Sequence, residues 1–264
     1  MSFTSGTPRS GYPHSRAALR RKMAKSDPLY AFLEYFAIHD VVHITDDFLG
    51  DAINLDLYAV ANGGGAAVAS FAINTQLGGV IRATTGTAGD DTASASLITP
   101  AQWYGDNLAG LEVRWKPITA ITEAQIELGF SDVVPGSNDS VVDNLTTPTV
   151  NTAVVDAAID VYDHTTATTT NALVTIGSSI TAVDTGYTPV TAVAAATYTT
   201  TRIQLINNHA YLWRDGALVA SHKTVGTDYV EGGSALAFWA YIKATNGTSK
   251  SLDLDYLKLW QERI

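Results

Sequence analysis

Apolar and polar residues alternate along most of this chain from about Thr45 onward, in runs of five to ten residues. A period of two is typical of half-buried β-strands, whereas helices need apolar residues every three or four positions. Twelve such runs predict strands over Val68–Ile73, Gly79–Thr84, Ser94–Ile98, Leu111–Pro117, Ala124–Phe130, Ala153–Tyr162, Ala172–Ile176, Thr201–Asn207, Ala210–Arg214, Ala217–His222, Ala235–Ala244 and Leu252–Trp260.

Short turn sequences separate these runs. The clearest are Asn207-Asn208 and Asp215-Gly216, which join three alternating segments between Arg202 and Val219. Asn, Asp and Gly tolerate the positive φ angles that two-residue hairpin turns require. Because no helical period lies between the strands, the pattern predicts an all-β fold, an antiparallel jelly-roll β-sandwich spanning residues 41–264.

Residues 1–40 follow a different pattern and are predicted to form an N-terminal extended and helical arm. Pro and Gly punctuate residues 1–14, Ser15 can cap a short helix over Arg16–Lys25, and Asp27-Pro28 is typical of a second helix start. Four apolar residues in this second helix recur at spacings of three and four, namely Leu29, Phe32, Leu33 and Phe36. This stripe can pack on the protein's own sandwich or dock on a partner subunit.

Charge is divided between the arm and the body. Residues 1–26 hold six of the 16 basic residues and none of the 26 acidic residues, so the rest of the chain has a net charge of −16. The basic residues of the arm are Arg9, Arg16, Arg20, Arg21, Lys22 and Lys25. A basic arm seeks a negatively charged surface, while an acidic body repels nucleic acid and anionic lipid.

Composition narrows the class of protein further. There is no cysteine, which excludes disulfides and thiolate metal sites. We expect no membrane partner, since no apolar run is long enough to span a bilayer, and the first residues lack the layout of a signal peptide. The chain is therefore expected to fold in the cytoplasm, where it is made.

Four segments resemble the concanavalin A-like lectin and glucanase superfamily, which includes laminin-G-like domains. These are the opening Asp46-Asp47-Phe48, the pair Leu111–Trp115 and Ile126–Asp132, the aromatic hairpin Tyr211–Gly216, and the closing strand Leu252–Trp260. The resemblance implies a jelly-roll sandwich. It implies little about activity, because this fold hosts lectins, hydrolases and inert modules.

The layout of an arm before one such sandwich also resembles virion proteins of tailed bacteriophages. This resemblance implies a structural protein of the virus particle, a capsid decoration or head accessory protein that is not an enzyme. Its partners would be other capsid or tail subunits and further copies of itself, contacted through Arg9, Arg16, Arg20, Arg21, Lys22, Leu29, Phe32, Leu33 and Phe36. The alternative is a carbohydrate-binding tail or fibre domain that adheres to the host.

One motif is relevant to catalysis. Family glucanases carry a Glu-x-Asp-x-Glu strand, and Glu123-Ala124-Gln125-Ile126-Glu127 is similar to it. Here Gln125 replaces the central acid, and carboxyls four residues apart on a regular strand exceed the roughly 5 Å separation of a retaining hydrolase. We therefore expect Glu123, Gln125 and Glu127 to form the solvent face of a core strand.

Other sites are sparse in the sequence. Seven aspartates could supply oxygen ligands to calcium, but none has the spacing of a dedicated loop, and His39 and His43 straddle a predicted helix end. No metal site and no cofactor is expected. Among the aromatic residues, Trp103 and Tyr104 follow Pro100 near a loop and form the best candidate pair for sugar binding.

Overall fold

The computed structural model describes residues 41–63, 70–74, 79–87, 93–118, 123–133, 139–145, 149–163, 170–177, 180–184, 193–206, 209–223, 230 and 232–263. His43–Gln261 forms one compact unit. Residues 1–40, with the two predicted helices and the apolar stripe, lie outside the described residues, so the arm stays a prediction. No helix among the described residues is long and apolar enough to cross a membrane.

The described residues form eighteen strands and one short 3-10 turn at Gly105–Asn107. The first nine strands are β1 (Val41–Asp46), β2 (Ala59–Asn62), β3 (Ser70–Asn74), β4 (Val80–Thr84), β5 (Ser94–Ile98), β6 (Trp103–Tyr104), β7 (Gly110–Pro117), β8 (Ala124–Ser131) and β9 (Val142–Asn144). The others are β10 (Thr149–Val150), β11 (Ala157–Asp163), β12 (Thr170–Gly177), β13 (Ile180–Asp184), β14 (Thr199–Ile206), β15 (His209–Arg214), β16 (Ala217–Lys223), β17 (Ala235–Ala244) and β18 (Ser251–Glu262).

Two eight-stranded sheets make up the sandwich. The first sheet has the order β16-β15-β14-β7-β18-β4-β3, with β1 also paired to β18, and the second has the order β13-β12-β11-β8-β17-β5-β2, with β6 also paired to β17. Neighbours along both paths run antiparallel. The predicted antiparallel jelly-roll β-sandwich is confirmed.

All twelve predicted strands have a counterpart in the structure. Ser94–Ile98 and Ala235–Ala244 have the predicted bounds, and the others shift by a few residues at one end or both. The end of a strand depends on which backbone groups form hydrogen bonds across the sheet. The pattern of apolar and polar residues predicts these positions poorly. Six strands were not predicted, namely β1, β2, β6, β9, β10 and β13, and four of these (β2, β6, β9 and β10) span only two to four residues.

The core lies between the inner faces of the two sheets. Residues paired directly across an antiparallel ladder point to the same face, so the pairs Ile126–Ile242, Leu128–Ala240 and Phe130–Phe238 share one side of the second sheet. On the first sheet the buried residues alternate with partly exposed ones along β7, where Leu111, Val113 and Trp115 are buried. These two rows fill the interior.

The turn between β15 and β16 is a primed hairpin turn, as the sequence predicts. Asp215 and Gly216 both have positive φ angles, 49° and 82°. The Asp215 carboxylate accepts a hydrogen bond from the Thr200 backbone N–H at 2.8 Å, which ties the turn to β14. The second predicted turn, Asn207-Asn208, lies outside the described residues.

Gly129 occupies a place in β8 where no side chain fits. A Cβ at this residue would lie 2.2 Å from the carbonyl oxygen of Ala158 and 2.8 Å from the Cα of Ile159. Because both neighbours are backbone atoms of an adjacent strand, Gly129→Ala should lower the free energy of unfolding by about 1–3 kcal/mol. Chemical denaturation measures the change, and Gly233→Ala, which meets nothing within 4 Å, is the matched neutral control. Equal stability of the two variants would contradict the close approach.

Candidate functional site

Strand β8 carries the only predicted catalytic motif into the middle of the second sheet. Three residue pairs between β8 and β17 lie on the outer face of this sheet, opposite the core. They are Gln125–Lys243, Glu127–Tyr241 and Gly129–Trp239. Glu123 precedes the strand with a φ of 60° and is exposed, and the Asn246 side-chain amide donates a hydrogen bond to its carboxylate. Glu123 therefore does not continue the row that Gln125 and Glu127 form.

The Glu127 carboxylate is enclosed by four hydrogen-bond donors. One oxygen accepts from the Val141 backbone N–H at 2.9 Å and from the Trp239 indole N–H at 2.8 Å. The other accepts from the Val142 backbone N–H and the Gln125 amide, both at 2.9 Å. Each oxygen thus has two donors, which is a nearly complete replacement for water around an ionised carboxylate.

The chain itself closes the outer face of the second sheet above Glu127. Val141, Val142 and Leu145 are buried, and the Gln125 amide also donates to the Val142 carbonyl oxygen. Glu127 is 0% exposed and Gln125 is 1% exposed. The prediction of a solvent face here is therefore wrong, because residues 139–145 form a cover that is held down by the carboxylate beneath it.

Burial in this cradle changes the acidity of Glu127. Desolvation raises its pKa from 4.5 to about 7, although the four donated hydrogen bonds oppose the shift. A carboxyl whose pKa is higher in the folded state contributes stability that is fully present below pH 4.5 and is lost as the pH rises through about 7.

This shift predicts a specific pH dependence. Between pH 5 and pH 8 the wild type should lose more free energy of unfolding than the Glu127→Gln variant, which has no titratable group at this position. Urea denaturation at both pH values, with the same buffer ions, measures the difference. Identical pH slopes for the two proteins would show that Glu127 does not titrate in this range.

The two residues of the candidate sugar-binding pair differ in their exposure to solvent. Trp103 is fully buried and its strand pairs with Leu236 of β17, whereas Tyr104 is partly exposed. A stacking platform must present a ring face to the sugar. The prediction therefore fails at Trp103, and it stays untested at Tyr104.

Three of the aspartates considered for calcium have other partners in the structure. Asp46 accepts hydrogen bonds from the Phe48 backbone N–H and the Tyr58 hydroxyl. Asp253 is paired with Arg82 and Lys116, and Asp132 accepts from the Val155 backbone N–H. No group of three or more metal-binding side chains occurs among the described residues. Asp90 and Asp91 lie outside them.

The predicted partner-binding residues all lie in the arm and outside the described residues. They are Arg9, Arg16, Arg20, Arg21, Lys22, Leu29, Phe32, Leu33 and Phe36. Partner binding at these residues stays a prediction from charge and spacing.

The sequence did not reveal a buried polar cluster between the two sheets. The Arg214 guanidinium of the first sheet hydrogen-bonds Asp160 of the second, and both side chains are at most 2% exposed. Thr201 donates to the same carboxylate at 2.9 Å and accepts from the Trp115 indole N–H at 2.9 Å. This network connects the sheets at a point where the alternating pattern predicts only apolar contacts.

The outer face of the first sheet concentrates cations and aromatic rings. It holds five of the ten basic residues that follow the arm: Arg82, Arg114, Lys116, Arg202 and Lys258. The Arg202 guanidinium lies 5.0 Å from the Trp213 ring centre and 5.4 Å from that of Trp260. These contacts join Arg202 of β14 to residues of β15 and β18, so alternation along one strand could not show them.

Several solved structures share this fold. A β-glucanase from Bacillus licheniformis aligns with a TM-score of 0.54 at 11% identity, covering 82% of this chain and 97% of its own. A laminarinase from a Flavobacterium species gives 0.53 at 12% identity, covering 83% and 99%, respectively. The carbohydrate recognition domain of Emp46p gives 0.53 at 10% identity, covering 78% and 88%. No family model and no curated protein matches the sequence.

These comparisons correct one expectation from the sequence. We expected that the chain is not an enzyme, but the solved structures that share its fold include a β-glucanase and a laminarinase. The lack of a complete catalytic motif in the sequence was too weak a basis for that expectation. At these identities the likeness establishes the fold alone: this chain has the jelly-roll fold of concanavalin A-like lectins and glucanases.

Proposed function

We propose that this chain is a structural protein of a virus particle, a capsid decoration or head accessory protein of a tailed phage. The observation that carries the proposal is the division of charge. Six basic residues and no acidic residue precede Asp27, and the remainder has a net charge of −16. In this proposal the basic arm anchors the protein on neighbouring virion subunits, and the acidic sandwich faces outward.

The construction of the sandwich supports this role. The outer face of its second sheet is closed over Glu127 by residues 139–145, whose buried valines pack against the strands below. A sheet whose outer face is covered by its own chain presents less apolar surface that would recruit other chains when it is exposed on a particle. Its loops remain free to vary.

Deleting the arm tests the proposal. A variant that lacks residues 1–40 should give the β-sheet circular dichroism of the full chain but should be absent from purified particles. Deleting residues 1–8 is the matched control, because it shortens the arm and keeps all six basic residues. Normal incorporation of the variant without residues 1–40 would rule out the arm as the anchor.

Glycan binding by a tail or fibre domain is the second candidate, and one observation favours it. His209, Tyr211 and Trp213 lie in a row on one face of β15, and all three are partly exposed. Rows of partly exposed aromatic side chains are suited to stacking against sugar rings. A glycan array should then show binding that Trp213→Ala abolishes. An array without any bound glycan would remove this candidate.

A further inference from the structure

A pocket of about 350 Å³ opens beside the edge of the second sheet. Its walls come from the loop between β1 and β2 and the first residue of β2, from β5 and the residues after it, from Asp132 directly after β8, and from Ala237 of β17. Apolar side chains dominate the lining, and the acidic residues Asp56 and Asp132 are the charged members among the lining residues. The pocket is therefore apolar within and negatively charged at its walls.

The loop that forms one wall is acidic and carries exposed leucines. Between Asp46 and Tyr58 there are four aspartates and no basic residue. Leu55, which lines the pocket, is 74% exposed, and Leu49 in the same loop is 73% exposed. They are the two most exposed of the large apolar side chains in the described part of the chain. Exposed leucines beside an apolar pocket are typical of a binding surface.

The chemistry of this surface specifies its occupant. A basic amphipathic segment would place apolar side chains in the pocket and its cations against Asp56 and the neighbouring aspartates. The chain contains such a segment, because residues 15–36 combine basic residues with the stripe Leu29, Phe32, Leu33 and Phe36. An acidic segment or an anionic polymer would be repelled by the same aspartates.

We propose that this pocket receives the N-terminal arm of a neighbouring copy of the same chain. The inference rests on the proposed function, in which the arm is the anchor, and it identifies the acceptor surface. An arm that binds a pocket on the next copy makes a heterologous contact, which propagates head to tail and suits a layer on a particle.

Charge reversal on both sides of the contact tests this assignment in the full-length chain. Arg20→Glu/Arg21→Glu replaces two positive charges of the arm by two negative charges, and Asp51→Lys/Asp56→Lys does the opposite at the pocket rim, which is the loop between Asp46 and Tyr58; both aspartates are exposed. By light scattering at increasing concentration, the wild type should associate and each variant alone should remain monomeric. A mixture of the two variants should associate again, because the glutamates introduced in one copy's arm then meet the lysines introduced in the other copy's rim.

The matched control reverses two charges elsewhere. Glu123→Lys/Asp139→Lys changes the net charge by the same amount as the rim variant, and neither residue lines the pocket or belongs to the loop between Asp46 and Tyr58. This control should associate like the wild type. A wild type that stays monomeric at all concentrations, or a mixture that stays monomeric although the wild type associates, would overturn the assignment.

Crosslinking distinguishes a neighbour's arm from a copy's own arm. The chain has no cysteine, so Phe32→Cys in one copy and Leu55→Cys in another introduce unique thiols. Mixing the two variants under oxidising conditions should give a disulfide-linked dimer. If the doubly substituted chain instead forms a monomeric disulfide and the mixture gives no dimer, the pocket holds its own arm and the inference is wrong.

The inference and the proposed function fail in different ways. If particle incorporation still requires residues 1–40 but charge reversal at the pocket rim has no effect on association, the proposed function stands and the assigned acceptor is wrong. If the chain is absent from particles while the charge exchange restores association in solution, the contact is real and the proposed virion role is wrong.

Discussion

Replacing Glu127 with alanine should lower the free energy of unfolding by about 3–5 kcal/mol. The substitution leaves four buried donors without an acceptor, and an unsatisfied buried group costs about 1–3 kcal/mol before water or local movement relieves part of it. The donors are the backbone N–H groups of Val141 and Val142, the Trp239 indole and the Gln125 amide. Denaturant titration measures the loss.

A control variant and a second measurement make this prediction specific to the Glu127 carboxylate. Glu123→Ala removes the same kind of side chain from an exposed position and should cost less than about 1 kcal/mol. Hydrogen exchange in Glu127→Ala should accelerate first at Val141 and Val142, since their N–H groups lose their acceptor. A loss below about 1 kcal/mol with unchanged exchange at these amides would show that the cover does not depend on the carboxylate.

Removing one partner of the buried ion pair should have an effect of similar size. Asp160→Ala leaves the Arg214 guanidinium buried without its carboxylate, and breaking such a pair costs about 3–5 kcal/mol. Thr201 would also lose its acceptor. The double replacement Asp160→Leu/Arg214→Met restores an apolar interface of similar volume and should recover most of the lost stability.

An exposed ion pair provides the comparison. Lys258 and Glu112 are 3.1 Å apart with side chains 45% and 25% exposed, so Lys258→Ala should cost less than about 1 kcal/mol. If Asp160→Ala costs no more than Lys258→Ala, the contact between the sheets does not depend on the buried pair. If the double variant is as unstable as the single one, apolar packing cannot replace the pair.

The alternation of apolar and polar residues predicted the fold because it reports burial on one face of each strand. It succeeded along β7, along β15 and along β14 as far as Ile203, where buried and partly exposed residues alternate. The Asp215-Gly216 turn was predictable for a related reason, since few residue pairs tolerate positive φ at both positions. The local sequence was therefore enough to predict the strands with one buried face and the turn that needs positive φ angles.

Alternation fails where a polar residue is buried with partners from another strand. Asp160 and Arg214 are 54 residues apart and meet only when the two sheets pack together. Glu127 belongs to a strand that is buried on both faces, because residues 139–145 cover its outer side. No pattern within β8 reports a cover that comes from a later segment of the chain.

The pocket was unpredictable for the same reason. Its lining combines Leu55 and Tyr58 with Thr99 and Asp132, which are distant in sequence. The sequence did provide one signal, since leucines separated by aspartates in Leu49–Leu57 fit neither a strand nor a polar loop. Exposed leucines in an acidic loop therefore mark a contact surface that alternation alone does not identify.

Mass spectrometry of virus particles purified from the cells that produce this chain tests the proposed virion role most directly. The account predicts peptides from both the arm and the sandwich, at a copy number that is constant between preparations and that falls to background when residues 1–40 are deleted. If the chain is abundant in infected cells but absent from the purified particles, it is not a virion protein and the account is contradicted.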